Sequence, residues 1–163
     1  MVFVTVGTHE QQFNRLVRYM DQWSETHDED VVIQTGFSTY EPKSAKCKKL
    51  LPYSEMVDCV KRARLVITHG GPSSFIMPLQ IGKIPIVVPR KHEYDEHVNN
   101  HQVEFCKQVA QRHGNIIVVD DVNMLGETIE QYNTIISSMK NQVVSNNALF
   151  CERFEEIVEE LLR

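Results

Sequence analysis

The residues best suited to chemistry sit in one short stretch, Leu65-Val-Ile-Thr-His69-Gly70-Gly71-Pro72-Ser73-Ser74-Phe75. An apolar run leads straight into two glycines, a proline and two serines. Gly70 and Gly71 permit unusual backbone angles and put no Cβ in the way of a ligand. Pro72 suits the first position of a helix, where its missing N–H is no loss. The unbonded N–H groups of Ser73 and the residues after it, with the positive end of the helix dipole, favour an anion. The Ser73 and Ser74 hydroxyls add donors for phosphate oxygens. The same pattern also describes a plain strand-to-helix turn, so this loop alone leaves both readings open. His69, at the carboxyl end of the strand, is either a ligand-facing side chain and a candidate catalytic group or an imidazole bonded to nearby backbone.

A second polar cluster, Arg90-Lys-His-Glu-Tyr-Asp-Glu-His97-Val-Asn-Asn100-His101-Gln102, follows another apolar run that ends at Pro89. Arg90, Asn100, His101 and Gln102 are its candidates for reaching the same crevice. Carboxamides and imidazoles can both donate to and accept from sugar hydroxyls. A solvated loop closed by a helix N-cap is the plainer alternative. His92, His97 and His101 with Glu93 and Asp95 match no standard zinc spacing, so no metal is expected. A third loop, Gly7-Thr8-His9-Glu10, also follows an apolar run. It lacks the Gly-x-Gly-x-x-Gly of dinucleotide sites. Neither a P-loop nor a Gly-x-Ser-x-Gly elbow occurs in the chain, which disfavours NAD enzymes, P-loop NTPases and α/β-hydrolases.

The elements that position these loops follow from periodicity. Strands are expected at Val2–Val6, Val31–Gln34, Cys47–Leu51, Leu65–Thr68, Ile84–Val88 and Ile116–Val119. Helices are expected at Phe13–Trp23, Ser54–Arg62 with Ser54 as N-cap, Ser73–Ile81, His97–Gln111, Val122–Met139 and Asn147–Leu162. Continuous Val/Ile runs mark strands buried on both faces, as in a parallel sheet. The alternation gives an α/β fold: one Rossmann-like, doubly wound sheet of about six strands with helices on both faces. Ligands bind such sheets at the carboxyl ends of the strands.

The 163 residues make one domain of ordinary size, with 146–163 as a C-terminal helix. Apolar residues are 42% and charged residues 24%, which excludes a disordered chain. The net charge of −5 argues against generic nucleic-acid binding. No apolar run is long enough to span a membrane, and the N-terminus is not of signal-peptide type. Four scattered cysteines suggest reduced thiols in a cytoplasmic protein. The last helix carries Phe150, Phe154, Ile157, Val158 and Leu161 on one face and glutamates elsewhere. It either caps the sheet or bridges to a partner. The basic residues Lys43, Lys46, Lys48, Lys49, Lys61, Arg62 and Arg64 form solvated surface or face an anionic lipid.

Four ordered motifs carry a family resemblance: Val2-Phe-Val-Thr-Val-Gly-Thr8 with Phe13 and Leu16, His69-Gly-Gly-Pro-Ser-Ser74, Gly82-Lys-Ile-Pro-Ile-Val-Val-Pro89 and Glu96-His-Val-Asn-Asn-His-Gln102. With them the chain resembles the C-terminal, donor-binding domain of GT-B glycosyltransferases. It is most similar to the small stand-alone subunits of two-chain UDP-sugar transferases, of the bacterial capsular and exopolysaccharide type and of the dolichol pathway. The resemblance implies half of an inverting enzyme. It would transfer galactose or GlcNAc from a UDP-sugar to a lipid-pyrophosphate-linked acceptor. It implies a membrane-anchored partner subunit that receives the acceptor, recruits the chain to the inner face of the membrane and completes the site. A non-catalytic activating subunit is the alternative. The resemblance places the diphosphate at Gly70–Ser74, lines the facing loop with Gly7 and Thr8, brings His101 and Gln102 to the donor sugar, and requires no metal or cofactor. Where many relatives hold the uridine ribose with a glutamate, this chain has Met77, followed by Pro78. Ribose recognition must then come from elsewhere, and Pro78 should kink or shorten the helix.

Overall fold

A computed structural model describes residues 1–139 and 147–162. Six strands form one sheet: β1 (Val2–Thr5), β2 (Val31–Gln34), β3 (Lys46–Lys48), β4 (Leu65–His69), β5 (Ile86–Val88) and β6 (Ile117–Val118). Their order is β3-β2-β1-β4-β5-β6 and every pairing is parallel. This is the doubly wound arrangement, with its switch point between β1 and β4, where the strand order reverses.

The helices are α1 (Asn14–Thr26), α2 (Tyr53–Arg62), α3 (Pro72–Gln80), α4 (His101–His113), α5 (Leu125–Glu130), α6 (Tyr132–Ser138) and α7 (Asn147–Leu161). Alternating strand residues feed two cores. Val2, Val4, Ile33, Leu65, Ile67 and Ile86 pack with Leu16, Val17 and Met20 of α1 and with Leu125, Ile129 and Tyr132. Phe3 and Val66 turn to the other face, against Val60 and Met56 of α2 and Met77 of α3. Val87 shares that face with Phe75 and Cys106. Full burial of each such side chain contributes about 1.5–3 kcal/mol.

Two polar side chains, buried Asp21 and half-buried Lys83, hold the loops. The Asp21 carboxylate of α1 accepts the amides of Lys43, Ser44 and Ala45 and the Tyr40 hydroxyl. Burial pushes its pKa up, but these donors outweigh burial and hold it below the usual carboxylate value. Lys83 Nζ donates to the carbonyls of Val60, Lys61 and Ala63, at the carboxyl end of α2.

Several expected boundaries shift. β3 is shorter than Cys47–Leu51. Pro52, not Ser54, precedes α2, and no side chain caps it. α4 starts at His101, not His97, because Glu96 is drawn into the interior and Asp95 takes a left-handed φ of 54°. The helix expected over 122–139 is broken at Gln131 into α5 and α6; Tyr132 turns inward and donates to the Ile84 carbonyl at 2.7 Å. α3 runs through Pro78 to Gln80 and is as long as the helix expected over Ser73–Ile81, one residue earlier, so the proline does not shorten it. Every side chain described from 149 to 162 is exposed, Phe150 by 62% and Leu161 by 80%. α7 therefore does not cap the sheet. Residues 146 and 163, the two ends of the helix expected over 146–163, lie outside the described residues. The basic residues form surface ion pairs: Lys46 with Asp30, Lys48 with Glu55, Arg62 with Asp58 and Arg64 with Glu29.

Candidate functional site

The carboxyl ends of β1, β2 and β4 converge on one crevice. Polar residues end otherwise apolar strands there. The Thr5 hydroxyl donates to Gln34 Oε1 and accepts the Gly7 amide at 3.2 Å. Gly7 takes a φ of 75°, which brings the chain back over the sheet.

The imidazole of His69 lies between Gly7 and Gly71. A Cβ on either glycine would overlap the ring. At Gly70 a Cβ would meet Cys106 Sγ at 2.9 Å and Gln102 Cβ at 3.0 Å. The glycines thus make room first for the protein's own side chains.

His69 is 8% exposed, and both ring nitrogens are engaged. Nδ1 accepts the Gly71 amide at 3.0 Å, and Nε2 lies 2.8 Å from Ser74 Oγ. Burial, followed by the Arg90 charge, lowers its pKa to about 3. The ring is neutral near pH 7. With Nδ1 accepting, its single proton sits on Nε2 and is donated to Ser74. The Ser74 hydroxyl keeps its own proton for another acceptor. A ring so placed is a poor general base, and the geometry gives His69 the task of orienting Ser74.

At the start of α3, Gly71 is the N-cap and Pro72 the first helical residue. The Ser74 amide bonds the Gly71 carbonyl at 3.0 Å, while that of Ser73 finds no acceptor among the described residues. The anion-binding elements exposed here are the Ser73 amide, the two hydroxyls and the helix dipole.

Beside them opens a cavity of about 660 Å³ on the α2–α3 face of the sheet. Gly7, Thr8, Ser73 and Ser74 line its polar end; Leu51, Tyr53, Met56, Ile76 and Met77 line the rest. Gln34 and Gln80 bring carboxamides to its wall. The expectation built on loops missed Leu51, Tyr53, Met56 and Gln34. Gln34 carried a signal, a polar residue closing a buried strand. The apolar lining carried none, because it reads as ordinary core.

The second cluster departs from expectation. Arg90 is fully buried and stacks over Phe13 at 4.8 Å. Its guanidinium donates to the carbonyls of Val6, Gln11, Gln12 and Glu96. Burial lowers its pKa to about 10, so it stays charged near pH 7. Arg90 is not a ligand contact; it pins the loop after β1 from behind. Gln102 is also buried, and its Oε1 accepts the Arg90 amide at 3.2 Å. Asn100 is turned to its own loop, accepting the His92 amide at 2.7 Å. His101 is exposed, its ring beside that of His97, which in turn lies beside His9; of the three only His9 lines the cavity. Glu96 is fully buried in a two-pronged pair with Arg15, at 2.9 and 2.8 Å, and accepts the Lys91 amide. Among the described residues no His, Cys, Asp or Glu side chains are grouped to hold a metal ion. No described helix is long and apolar enough to cross a membrane.

A parallel sheet in this order, with a glycine-lined turn and a helix N-terminus at its switch point, defines a Rossmann-like nucleotide-binding domain of the kind that forms half of a GT-B glycosyltransferase. The sequence profile of the glycosyltransferase family 28 C-terminal domain matches residues 1–161, and the chain belongs to that family. The fold is similar to the crystal structure of CalG4, the calicheamicin glycosyltransferase, with a TM-score of 0.66 at 14% identity over 99% of this chain. It is also similar to the glycotransferase of kitacinnamycin, with a TM-score of 0.55 at 15% identity over 86% of this chain. The chain spans 44% of the first structure and 35% of the second, less than half of each. No curated protein matches the chain.

Proposed function

We propose that the chain is the donor-binding half of a UDP-sugar-dependent hexosyltransferase that works with a second, membrane-anchored subunit. The observation that carries this reading is the two-ended cavity. Its polar end, at Ser73 and Ser74, suits a diphosphate; its apolar end, at Leu51, Met56 and Met77, suits a nucleobase. Met77 cannot accept a ribose hydroxyl, so Gln80, one turn further along α3, takes that task. Gly7, Thr8 and Gly70–Ser74 surround the diphosphate. His101 faces the transferred sugar, galactose or GlcNAc, and Gln102 supports it from within.

In the transfer an acceptor oxygen attacks C1 of the sugar while the C1–O bond to the diphosphate breaks, which inverts the configuration. The charge left on UDP is met by the Ser73 amide, the serine hydroxyls, the dipole of α3 and the buried Arg90. The acceptor's proton goes to a base that His69 does not supply, so the lipid-linked acceptor and that base belong to the partner. Recruitment through such a partner would bring the chain to the cytoplasmic face of the membrane, for capsule or exopolysaccharide synthesis.

Isothermal titration with UDP, UDP-galactose and UDP-GlcNAc tests the donor site. Binding of UDP with weaker binding to Ser74→Ala is expected; no binding of any of the three, alone or with the partner, removes the reading. The locked state of His69 also favours an accessory role, in which the partner performs the chemistry. Retained turnover in the complex when both His69→Ala and Ser74→Ala are introduced would select that role.

A further inference from the structure

A row of polar side chains closes the strands beneath the cavity. Thr5 of β1 pairs in register with Gln34 of β2 on one side and with Thr68 of β4 on the other. The three stand two residues beyond Phe3, Val32 and Val66, so they leave the sheet on the same face as those residues, the one covered by α2 and α3. Thr5 and Gln34 line the cavity. Gln34 is only 1% exposed, and Thr68 is fully buried.

Hydrogen bonds fix the orientation of the Gln34 carboxamide. The Thr5 hydroxyl accepts the Gly7 amide at 3.2 Å, and its own proton needs an acceptor. Thr68 Oγ1 has no hydrogen-bond partner, so the proton does not go there. It goes to Gln34, and the atom that receives it is the oxygen, Oε1. The carboxamide nitrogen is thereby turned away from Thr5. It donates to no group among the described residues, and its side chain forms part of the cavity wall. A buried amide with two unused N–H groups is unfavourable unless a ligand accepts from it.

The position of Gln34 decides what that ligand group is. β3 pairs with β2, and Leu51 follows β3, so Gln34 stands at the end of the cavity walled by Leu51 and Met56. Ser73 and Ser74 follow β4, on the far side of β1, two strand spacings or about 10 Å away. A nucleotide with its diphosphate at the serines lays its base towards β2. In a pyrimidine, the group on C4 lies opposite N1, the atom that carries the ribose. It is the part of the base that reaches furthest from the phosphates. Uracil has a carbonyl oxygen there, which accepts; cytosine has an amino group, which donates.

We infer that Gln34 selects the base of the donor: its Nε2 donates to the carbonyl oxygen at C4 of uracil, and Thr5 is the positioning residue that keeps this nitrogen facing the cavity. This rests on the donor-site reading above and adds to it the residue that makes the site one for uridine. A cytosine amino group set against the Gln34 N–H groups leaves donors on both sides unpaired, so cytidine nucleotides are refused by hydrogen bonding and not by size.

The test is calorimetric titration of the chain with UDP, CDP and two analogues of UDP that carry sulfur in place of oxygen, one at C2 and one at C4. Sulfur is the weaker acceptor. All four ligands share the ribose and the diphosphate, so the ratios between them report the base alone. UDP should bind about ten- to hundredfold more tightly than CDP, and about three- to tenfold more tightly than the C4 analogue. The C2 analogue should match UDP. None of these comparisons needs a variant. Gln34→Leu, of similar volume, should bring UDP down to the affinity of CDP. Thr5→Val lets the carboxamide present its oxygen instead and should narrow the ratio of UDP to CDP; any shift of Gly7 in that variant weakens both nucleotides alike. Equal binding of UDP and CDP to the wild type overturns the inference and leaves the donor site standing. A preference for UDP that survives in Gln34→Leu overturns it as well, and so does weakening by sulfur at C2 in place of C4. No binding of any of the four overturns both the inference and the reading beneath it.

Discussion

His69 explains why glycine stands on both sides of it. The ring fills the space that Gly7 and Gly71 leave, accepts one amide and directs one hydroxyl. Its acid behaviour follows. A histidine held neutral in the folded state, with a pKa of about 3 against about 6.5 when unfolded, stabilises the fold fully above about pH 6.5. As pH falls from there towards 3, the unfolded chain binds a proton that the folded one refuses. His69 should therefore remove up to about 1.4 kcal/mol of stability per pH unit in that window. His69→Asn should flatten this limb in urea titrations at stepped pH, at a cost of about 1–3 kcal/mol at pH 7 from the lost hydrogen bonds. An unchanged acid limb would show that the ring is not shielded. Gly71→Ala should move the ring off Ser74. A loss of nucleotide affinity of about tenfold or more, with an unaltered circular dichroism spectrum, is the expected result.

Among the elements, the loop from Pro89 to Asn100 depends most on distant partners. Arg90 donates to four carbonyls, three of them about 80 positions earlier in the chain. Arg15 reaches Glu96 and the Pro89 carbonyl. Arg90→Lys keeps the charge but lacks the planar fork that satisfies several acceptors at once. It should cost about 2–4 kcal/mol in denaturant unfolding and expose the loop after β1 to proteolysis. A cost below about 0.5 kcal/mol would mean that the buried fork is dispensable. Asp21→Asn tests the other anchored loop. The native carboxylate's pKa lies below its ordinary value, so its contribution is present above about pH 4 and is lost as pH falls through the folded value. The variant should be less stable at pH 7, with the gap to wild type closing in acid.

These anchors mark the limit of what local sequence discloses. The parallel direction of the strands follows from Val/Ile runs alternating with helical periodicity, and β2 at Val31–Gln34 falls where the pattern puts it. The His69–Ser74 turn was legible because glycine, proline and serine act on their own backbone. His97–Gln111 read as one helix because nothing local reports that Glu96 must turn inward to Arg15, 81 residues away. Arg90 read as a ligand residue for the same reason: an arginine after a strand is usually exposed, and only the fold buries it. Leu51, Tyr53 and Met56 became cavity wall because of where α2 packs.

At the scale of the whole molecule, α7 is the part the rest does not need. Its apolar face of Phe150, Phe154, Ile157 and Leu161 touches water, and Phe150 stacks on Phe154 within the helix, 6.0 Å between centres. A helix that buries no side chain against the sheet adds little to the sheet's stability. Deleting residues 147–163 should therefore leave the melting temperature within about 2 °C of the full chain, because a change below about 0.5 kcal/mol moves it no further. Calorimetry on the two chains decides the matter. A fall of about 10 °C would mean that α7 packs on the sheet and that its exposed face is not free. An unchanged melting temperature leaves an amphipathic helix whose glutamate-rich outer face keeps it soluble while its aromatic face lacks a covering surface within the described residues. Every residue of the candidate donor site lies before residue 103, so the truncated chain should also bind a UDP-sugar as tightly as the full one. Equal affinity, measured by the same titration, would separate the nucleotide site from whatever the helix contacts. A loss of binding would tie α7 to the crevice.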